Sequence, residues 1–429
     1  MRAARRCTDY RFQIPDPIKL ASGRPRILLR LFLEFFRIAL FVVGGGYAIL
    51  VVADDVFGRK LKWLREGELL EHLPIFQMIP GLIAGNNAIY VGMKVAGRTG
   101  AAVALLAVAL PSLIIFLLVA CGYDWLPLGN EWLESAFLGL RSSLFGVIAG
   151  TVISSWRKNV RGVYGYIALA AGVVAISVFH VNTFHVLLAA ALAGITLEYC
   201  GLGGQAIGSD SAGVPLDPLP RRNRVALAVC VVAALATVTI IHGRLFWLFV
   251  KFGLMCFGGG FVLIPAYMDE FVGPDAAMLN LPTEEFSNLM ALTQMTPGPV
   301  SVNSATFFGY RLAGVVGAVV ATAGLLAPSY FLLTTALTSL DKWRTSRIVT
   351  GLMRGVRPAT AALMVSASIV FGSMSVIRNT PDGHAFSPLG LALAALSAYA
   401  LLSRRLSVMA SIFLCALIAL ACHGVVACF

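Results

Sequence analysis

The sequence predicts an all-α polytopic membrane protein built from two homologous repeats of inverted topology, each containing broken or re-entrant helices. Three observations predict this. The chain is 58% hydrophobic and only 13% charged over 429 residues, and several of its apolar runs reach the ~20 residues that cross hydrocarbon. One motif recurs at a constant offset. The loops beside its two copies carry opposite charge.

The motif is Gln294-Met295-Thr296-Pro297-Gly298-Pro299, running on through Asn303 to Gly309. It lies inside an apolar segment yet cannot continue a helix, because proline has no amide donor and glycine is flexible. Unpaired backbone groups in hydrocarbon cost several kcal/mol each, so such a break survives only against protein or a wet cavity. The earlier copy is Gln77-Met78-Ile79-Pro80-Gly81, running on through Asn86 to Gly92. Two broken segments at matching places are the sequence pointer to a transporter site.

Residues 1–29 are basic, with Arg2, Arg5, Arg6, Arg11, Lys19, Arg24 and Arg26, and read as a cytoplasmic tail. The first repeat spans 30–199. Its first apolar run, 30–52, is interrupted by Gly44-Gly45-Gly46, more glycine than close helix packing needs. A polar loop, 54–72, leads to the first Pro-Gly segment, 73–93. Helices are expected over 97–121, 133–155, 163–180 and 183–199. A Gly/Ser/Pro-rich linker covers 200–224, and one unpaired transmembrane helix covers 225–242.

The second repeat, 243–429, restates the first. Lys251 stands seven residues before Gly258-Gly259-Gly260, as Arg37 does before Gly44. One offset pairs Gln77 with Gln294, Pro80 with Pro297, Gly81 with Gly298 and Asn86 with Asn303. It also pairs Lys94 with Arg311, Gly97 with Gly314, Pro111 with Pro328 and Ser112 with Ser329. Apolar composition alone would match alanines and valines, not this ladder. Gly139-Leu140-Arg141 answers Gly355-Val356-Arg357 more weakly.

The loop after the first glycine triplet holds Arg59, Lys60, Lys62 and Arg65. Its counterpart, 268–285, holds Asp269, Glu270, Asp275, Glu284 and Glu285 with no Lys or Arg. The acidic loop 122–132 answers the basic stretch Asp341-Lys342-Trp343-Arg344-Thr345-Ser346-Arg347. By the positive-inside rule the halves are oppositely oriented, with a cytoplasmic N-terminus and the helix at 225–242 as the odd crossing. With the glycine and Pro-Gly segments re-entrant, nine full crossings remain and the C-terminus lies outside.

The formal charge of +12 sits at the ends of apolar runs, which is a membrane pattern rather than a nucleic-acid one. The eight cysteines and six histidines show no metal-ligand spacing, so no metal or cofactor is expected. No nucleotide-binding or hydrolase motif appears, so an enzyme is not expected.

A helix resuming after Pro-Gly presents free amides and the positive end of its dipole, which suits a small inorganic anion. The candidate site therefore comprises Gly44, Gly45, Gly46, Gln77, Pro80, Gly81 and Asn86 with Gly258, Gly259, Gly260, Gln294, Pro297, Gly298 and Asn303. Gln77, Gln294, Asn86 and Asn303 are expected to add neutral donors, and Ser301 and Ser304 hydroxyls. The cations Arg37, Lys251, Arg141 and Arg357 join them, because charge inside a membrane segment is a functional candidate by default. Lys94 and Arg311 lie at segment ends, where snorkelling to the interface is an equal reading. Arg37 has Glu34 on its own helix turn; Lys251 has no such neighbour. Membrane carboxylates are sparse. Asp55 and Asp269 occupy equivalent places after the triplets and read as solvated end charges.

The glycine triplets, the Pro-Gly motifs and the duplicated layout resemble the chromate ion transporter family in its long-chain form, over nearly the whole chain from about residue 30. The second repeat carries the pattern as Phe257-Gly258-Gly259-Gly260, Gln294 to Pro299, and Gly309-Tyr310-Arg311-Leu312-Ala313-Gly314-Val315-Val316-Gly317. The first departs from it at Val43, Gly46 and Leu82, where Phe, Pro and Pro are usual. The resemblance implies an inner-membrane secondary carrier of an oxyanion (chromate/sulfate-like), and the two inverted, broken repeats lead us to expect alternating access about a midplane site. A passive anion channel and a non-transport membrane scaffold are the alternatives. The glycine-rich faces permit a homodimer without requiring one.

Overall fold

The computed structural model describes residues 17–42, 45–123, 130–160, 162–179, 181–200, 243–257, 259–273, 278–338, 347–380, 383–403, 406 and 408–427. The expected linker, the connecting helix at 225–242, Gly44 and Gly258 lie outside the described residues. Four described helices are long and apolar enough to cross a membrane, or five if one bent pair is a single span, and four shorter apolar helices accompany them. Their outer faces carry large exposed apolar side chains, among them Leu106, Leu118, Ile167 and Leu417. That surface suits lipid rather than water. The protein is a multi-pass, all-helical membrane protein. Among the described residues, the one pair of strands is a small hairpin, Ile377–Thr380 with Gly383–Phe386.

Helix α1 (Pro17–Phe41) begins well inside the segment read as a tail. The chain breaks at the first glycine triplet and resumes as α2 (Gly45–Asp54), which continues into a π-helical turn, Asp55–Lys60. Two short helices follow, α3 (Glu68–Glu71) and α4 (Leu73–Met78). Then comes α5 (Ile83–Tyr123), which is two limbs joined at Ala96-Gly97. Gly97 has φ 68°, a left-handed value that favours glycine. The limbs touch so closely that a methyl on Gly92 or Gly100 would collide with backbone of the other limb. The first limb thus folds back along the second, and the second is the expected helix at 97–121. Helices α6 (Glu131–Asn159), α7 (Gly162–Ser177) and α8 (Thr183–Tyr199) complete the first half.

The second half repeats this order. Helix α9 (Gly243–Met255) breaks at the second triplet, and the chain turns by 119° into Gly260–Phe271, which contains α10 (Leu263–Phe271). Helix α11 (Thr283–Met295) precedes α12 (Val300–Thr338), again two limbs joined at Ala313-Gly314, where Gly314 has φ 62°. Helices α13 (Arg347–Val376), α14 (Pro388–Leu402) and α15 (Val408–Ala427) follow.

The halves are exchanged in their packing. Helix α13 lies along α7 and α8, and α6 lies against α14 and α15. Glycines make both contacts close: Gly355 and Gly351 meet the backbone of α8, while Gly139 meets Cys415 and Ala416 of α15. Small residues let such helices approach without a hydrophobic drive from water. A serine cluster adds polar contacts in the second interface. Ser143 and Ser397 share a hydrogen bond of 2.8 Å, and Ser411 donates to Ser397 at 2.8 Å. A core of aromatic rings fixes the second break from behind, with Phe271 against Phe308 at 4.5 Å and Phe252 against Tyr267 at 4.7 Å between centroids.

Candidate functional site

The two Pro-Gly breaks have the same backbone. Ile79 and Thr296 are extended, at φ −93°, ψ 128° and φ −92°, ψ 147°, as expected of residues that precede proline. Gly81 and Gly298 follow at φ 124° and φ 99°, which no side chain tolerates easily. Helices α5 and α12 resume at Ile83 and Val300.

An asparagine on the first turn of each resumed helix closes the break. Asn86 Nδ2 donates to Phe76 O at 2.9 Å and to Ile79 O at 3.1 Å. Asn303 Nδ2 donates to Thr293 O and to Thr296 Oγ1, both at 3.0 Å. These bonds satisfy groups that the interrupted helix would otherwise leave orphaned. The amide protons expected to face an anion are therefore spent on the chain itself. The two Oδ1 atoms are buried without a partner. Gln77 differs from its counterpart in the same respect. Its Nε2 donates to Tyr47 OH at 2.6 Å, whereas Gln294 is buried with Nε2 unpartnered.

Each break is seated on the other repeat. A methyl on Gly298 would overlap Ser112 Oγ, and one on Gly81 would overlap Ser329 Oγ. Both hydroxyls are fully buried and unpartnered. Gly81 N also donates to Cys256 O at 2.7 Å, beside the second triplet. The third glycine of each triplet then packs on the resumed helix of its own repeat. A methyl on Gly46 would stand 3.1 Å from Ala84 N, and one on Gly260 would stand 3.2 Å from Ser301 N. Gly259 has φ 137°, and Gly45 opens α2. The structure thus brings together Gly46, Pro80, Gly81 and Asn86 in one half, and Gly260, Pro297, Gly298 and Asn303 in the other.

Two of the four nominated cations are held in ion pairs. Lys251 pairs with Glu270 at 2.8 Å, across the glycine break rather than on its own helix. Arg141, buried on α6, pairs with Glu284 at 2.6 Å. Arg37 is exposed and makes no ion pair with Glu34 among the described contacts. Arg357 is half-buried on α13. Asp269 is not a solvated end charge, because its carboxylate accepts from Thr183 N at 2.8 Å and so caps α8. Asp55 does face solvent, beside Lys60 at 3.1 Å.

Two carboxylates escaped the sequence reading. Glu68 is 1% exposed and takes Lys94 at 2.5 Å, Tyr90 OH at 2.6 Å and Arg65 N at 3.1 Å. Arg311 pairs with Glu285 at 2.8 Å. Glu68 and Glu285 are separated by the same offset as Gln77 and Gln294, as are Lys94 and Arg311. Lys94 and Arg311 are therefore ion-paired, not simply drawn to the interface. The constant offset is the sequence signal for these pairs, although both carboxylates stand in stretches whose composition reads as polar loop.

A family model described as "Chromate transporter" matches the chain twice, over residues 29–195 and 243–420. An uncharacterized transporter of Methanocaldococcus jannaschii is 26% identical over 347 residues, covering 80% of this chain and 84% of that protein. A probable chromate transport protein of Synechococcus elongatus is 25% identical over 370 residues, covering 84% and 89%. A chromate transport protein of Cupriavidus metallidurans is 25% identical over 372 residues, covering 85% and 88%. No solved structure matches the chain.

Proposed function

This chain belongs to the chromate transporter family, and from that premise we propose that it carries a small inorganic oxyanion (chromate/sulfate-like) across the inner membrane by alternating access. The observation that carries the reading is the pair of matched breaks, each seated on the other repeat and each surrounded by buried polar atoms without protein partners. A backbone break of this kind belongs beside a cavity or a ligand.

The residues of the site are those the breaks gather. The first-turn amides of α5 and α12 and the positive ends of their dipoles favour negative charge. Gln294 Nε2 is the free side-chain donor. The asparagines hold the breaks in shape. Arg357 is a half-buried cation on α13, and Lys251 and Arg141 serve the scaffold through their ion pairs with Glu270 and Glu284. In this reading the repeats are inverted and the N-terminus is cytoplasmic, as the loop charges require. Transport is a rocking of one repeat against the other, hinged where each break meets its partner serine.

The test is uptake of labelled chromate and sulfate into proteoliposomes by wild type, Asn303→Ala and Arg357→Ala. The expected result is saturable flux that both substitutions abolish while the protein remains folded. Absence of flux for either anion under every imposed gradient would remove the substrate class. Flux that stays linear in concentration and ignores counter-ion gradients would indicate a channel.

A further inference from the structure

The Arg141–Glu284 pair joins the two repeats at 2.6 Å, between residues 143 apart in sequence. Its depth follows from both helices beside it. Arg141 lies beyond Trp132 on α6, and its Nε donates back to Phe137 O at 3.4 Å. At 1.5 Å per residue the guanidinium is about 8 to 14 Å past that tryptophan. A tryptophan near the end of an apolar helix marks the membrane interface. Next to Arg141, Gly139 abuts Cys415 and Ala416, near the middle of α15. That helix has 20 residues, so it just crosses the ~30 Å of hydrocarbon. The pair therefore sits near the middle of the bilayer.

At this depth the side chain of Arg141 is 11% exposed and that of Glu284 is 66% exposed. Leu417, at the same level on α15, is 62% exposed. An exposed leucine there faces lipid. An exposed carboxylate there does not, because charge in hydrocarbon is costly and is found against protein or a water-filled cavity. The neighbours agree. Pro282 and Thr283 are exposed beside Glu284, and the Arg311–Glu285 pair is partly exposed on both sides. One turn further in, Ser287 Oγ and Asn288 Oδ1 are buried without protein partners.

The equivalent end of the first repeat is shut. The offset that pairs Gln77 with Gln294 sets Gly67 and Glu68 against Glu284 and Glu285. Gly67 N and Leu69 N both donate to Asp54, each at 3.0 Å. Glu68 is sealed beneath Lys94 and Tyr90.

Resting on the oxyanion reading above, we propose that a water-filled vestibule enters from the face where α6 begins, reaches the Arg141–Glu284 pair at mid-membrane, and is the passage by which the anion comes to α11 and the second break. Glu284 stands in the first turn of α11, and the break follows its last residue, Met295. One helix thus runs from the floor of the vestibule to the break. The ion pair holds the repeats together at that floor. The passage is open at Glu284 and closed at Asp54 and Glu68, the one-sided state that alternating access requires of inverted repeats.

The experiment places Thr283→Cys, Glu284→Cys and Leu417→Cys separately in the full-length protein, in right-side-out and inside-out membrane vesicles. Each is treated with an anionic, membrane-impermeant methanethiosulfonate, and peptide mass mapping reads the modified position. Wild type sets the background of the eight native cysteines. Thr283→Cys leaves the ion pair intact and decides the matter if Glu284→Cys does not fold. Leu417→Cys is the lipid-facing control at the same depth. Uptake of labelled chromate and sulfate is measured before and after modification.

The expected result is modification of Thr283→Cys and Glu284→Cys from one face only, at least about a hundredfold faster than Leu417→Cys. Thr283→Cys, once modified, loses anion uptake. Reaction no faster than at Leu417→Cys overturns the vestibule. Fast reaction at all three positions puts this level outside the bilayer and overturns it as well, and reaction from both faces overturns the one-sided passage. Uptake that survives complete modification overturns the passage and leaves oxyanion carriage standing. Failure of unmodified wild type to take up either anion removes the oxyanion reading, while the labelling rates still decide the vestibule.

Discussion

Gly298 of the second repeat lies directly against Ser112 of the first, and Gly81 of the first lies in the same way against Ser329 of the second. The contact is between a backbone that must be bare and a hydroxyl that has no other partner. It ties the two breaks to the two kinked helices as a reciprocal pair.

Gly298→Ala and Gly81→Ala should therefore each lose stability for two reasons. The left-handed φ costs about 1–3 kcal/mol for a residue with a side chain, and the methyl must displace the facing serine. Pairing Gly298→Ala with Ser112→Gly relieves the second cost only. Thermal melts of detergent-solubilised protein should show partial rescue by the pair and none when Gly298→Ala is combined with Ser329→Gly.

The Glu68–Lys94 pair makes a separate prediction. Glu68 is almost wholly buried, so removing its partner by Lys94→Met strands a charge at a cost of about 3–5 kcal/mol. Glu68→Gln combined with Lys94→Met should recover most of that loss, since a buried pair contributes little net stability. A double variant no more stable than Lys94→Met would show that Lys94 acts through contacts other than the carboxylate.

The same carboxyl gives stability a pH dependence. Burial works to raise Glu68, but the bonds from Lys94 and Tyr90 outweigh it and hold the group below its ordinary value of 4.5. A depressed folded-state value means stability that is present above 4.5 and lost as pH falls through the folded value. Melting temperatures of wild type and Glu68→Gln, followed from neutral pH downward, should converge in acid. Curves that stay parallel would count against the depressed carboxyl.

The exchanged helix packing is open to a steric test. At Gly355 and Gly139 there is no room for a side chain against α8 and α15. Gly355→Leu and Gly139→Leu should each cost about 1–3 kcal/mol through overpacking. Leucine at Gly122, which has open space around it, should be neutral in the same melts.

What the sequence revealed depended on which residues had few substitutes. The breaks were legible because proline and glycine state their backbone needs in one letter, and the repeat was legible because those letters recur in register. The roles of the polar residues were not. Asn86 and Asn303 looked like ligand donors, yet each sits where an interrupted helix has carbonyls to satisfy, a need that appears only once α4 and α11 are placed. Arg141 and Lys251 looked like site cations because their acid partners, Glu284 and Glu270, are far away in sequence or across a turn. The Ser112–Ser329 match was visible as a pairing, but that each serine faces the other repeat is a fact of tertiary packing. Helix α1 extends into the basic tail because residues such as Leu20, Ala21 and Leu28 are good helix formers whatever their charge neighbours.

The exchange of hairpins between the halves also governs how the chain comes into being. Helix α8 emerges from the ribosome long before α13, the surface that covers its Gly194 face. Helix α6 waits longer still, until α14 and α15, near the end of the chain, have been inserted. The first half must therefore sit in the bilayer with its closest-fitting surfaces facing lipid while the second is being made. Biogenesis is an assembly of two incomplete halves, and truncation anywhere in the last two helices leaves the first half unfinished.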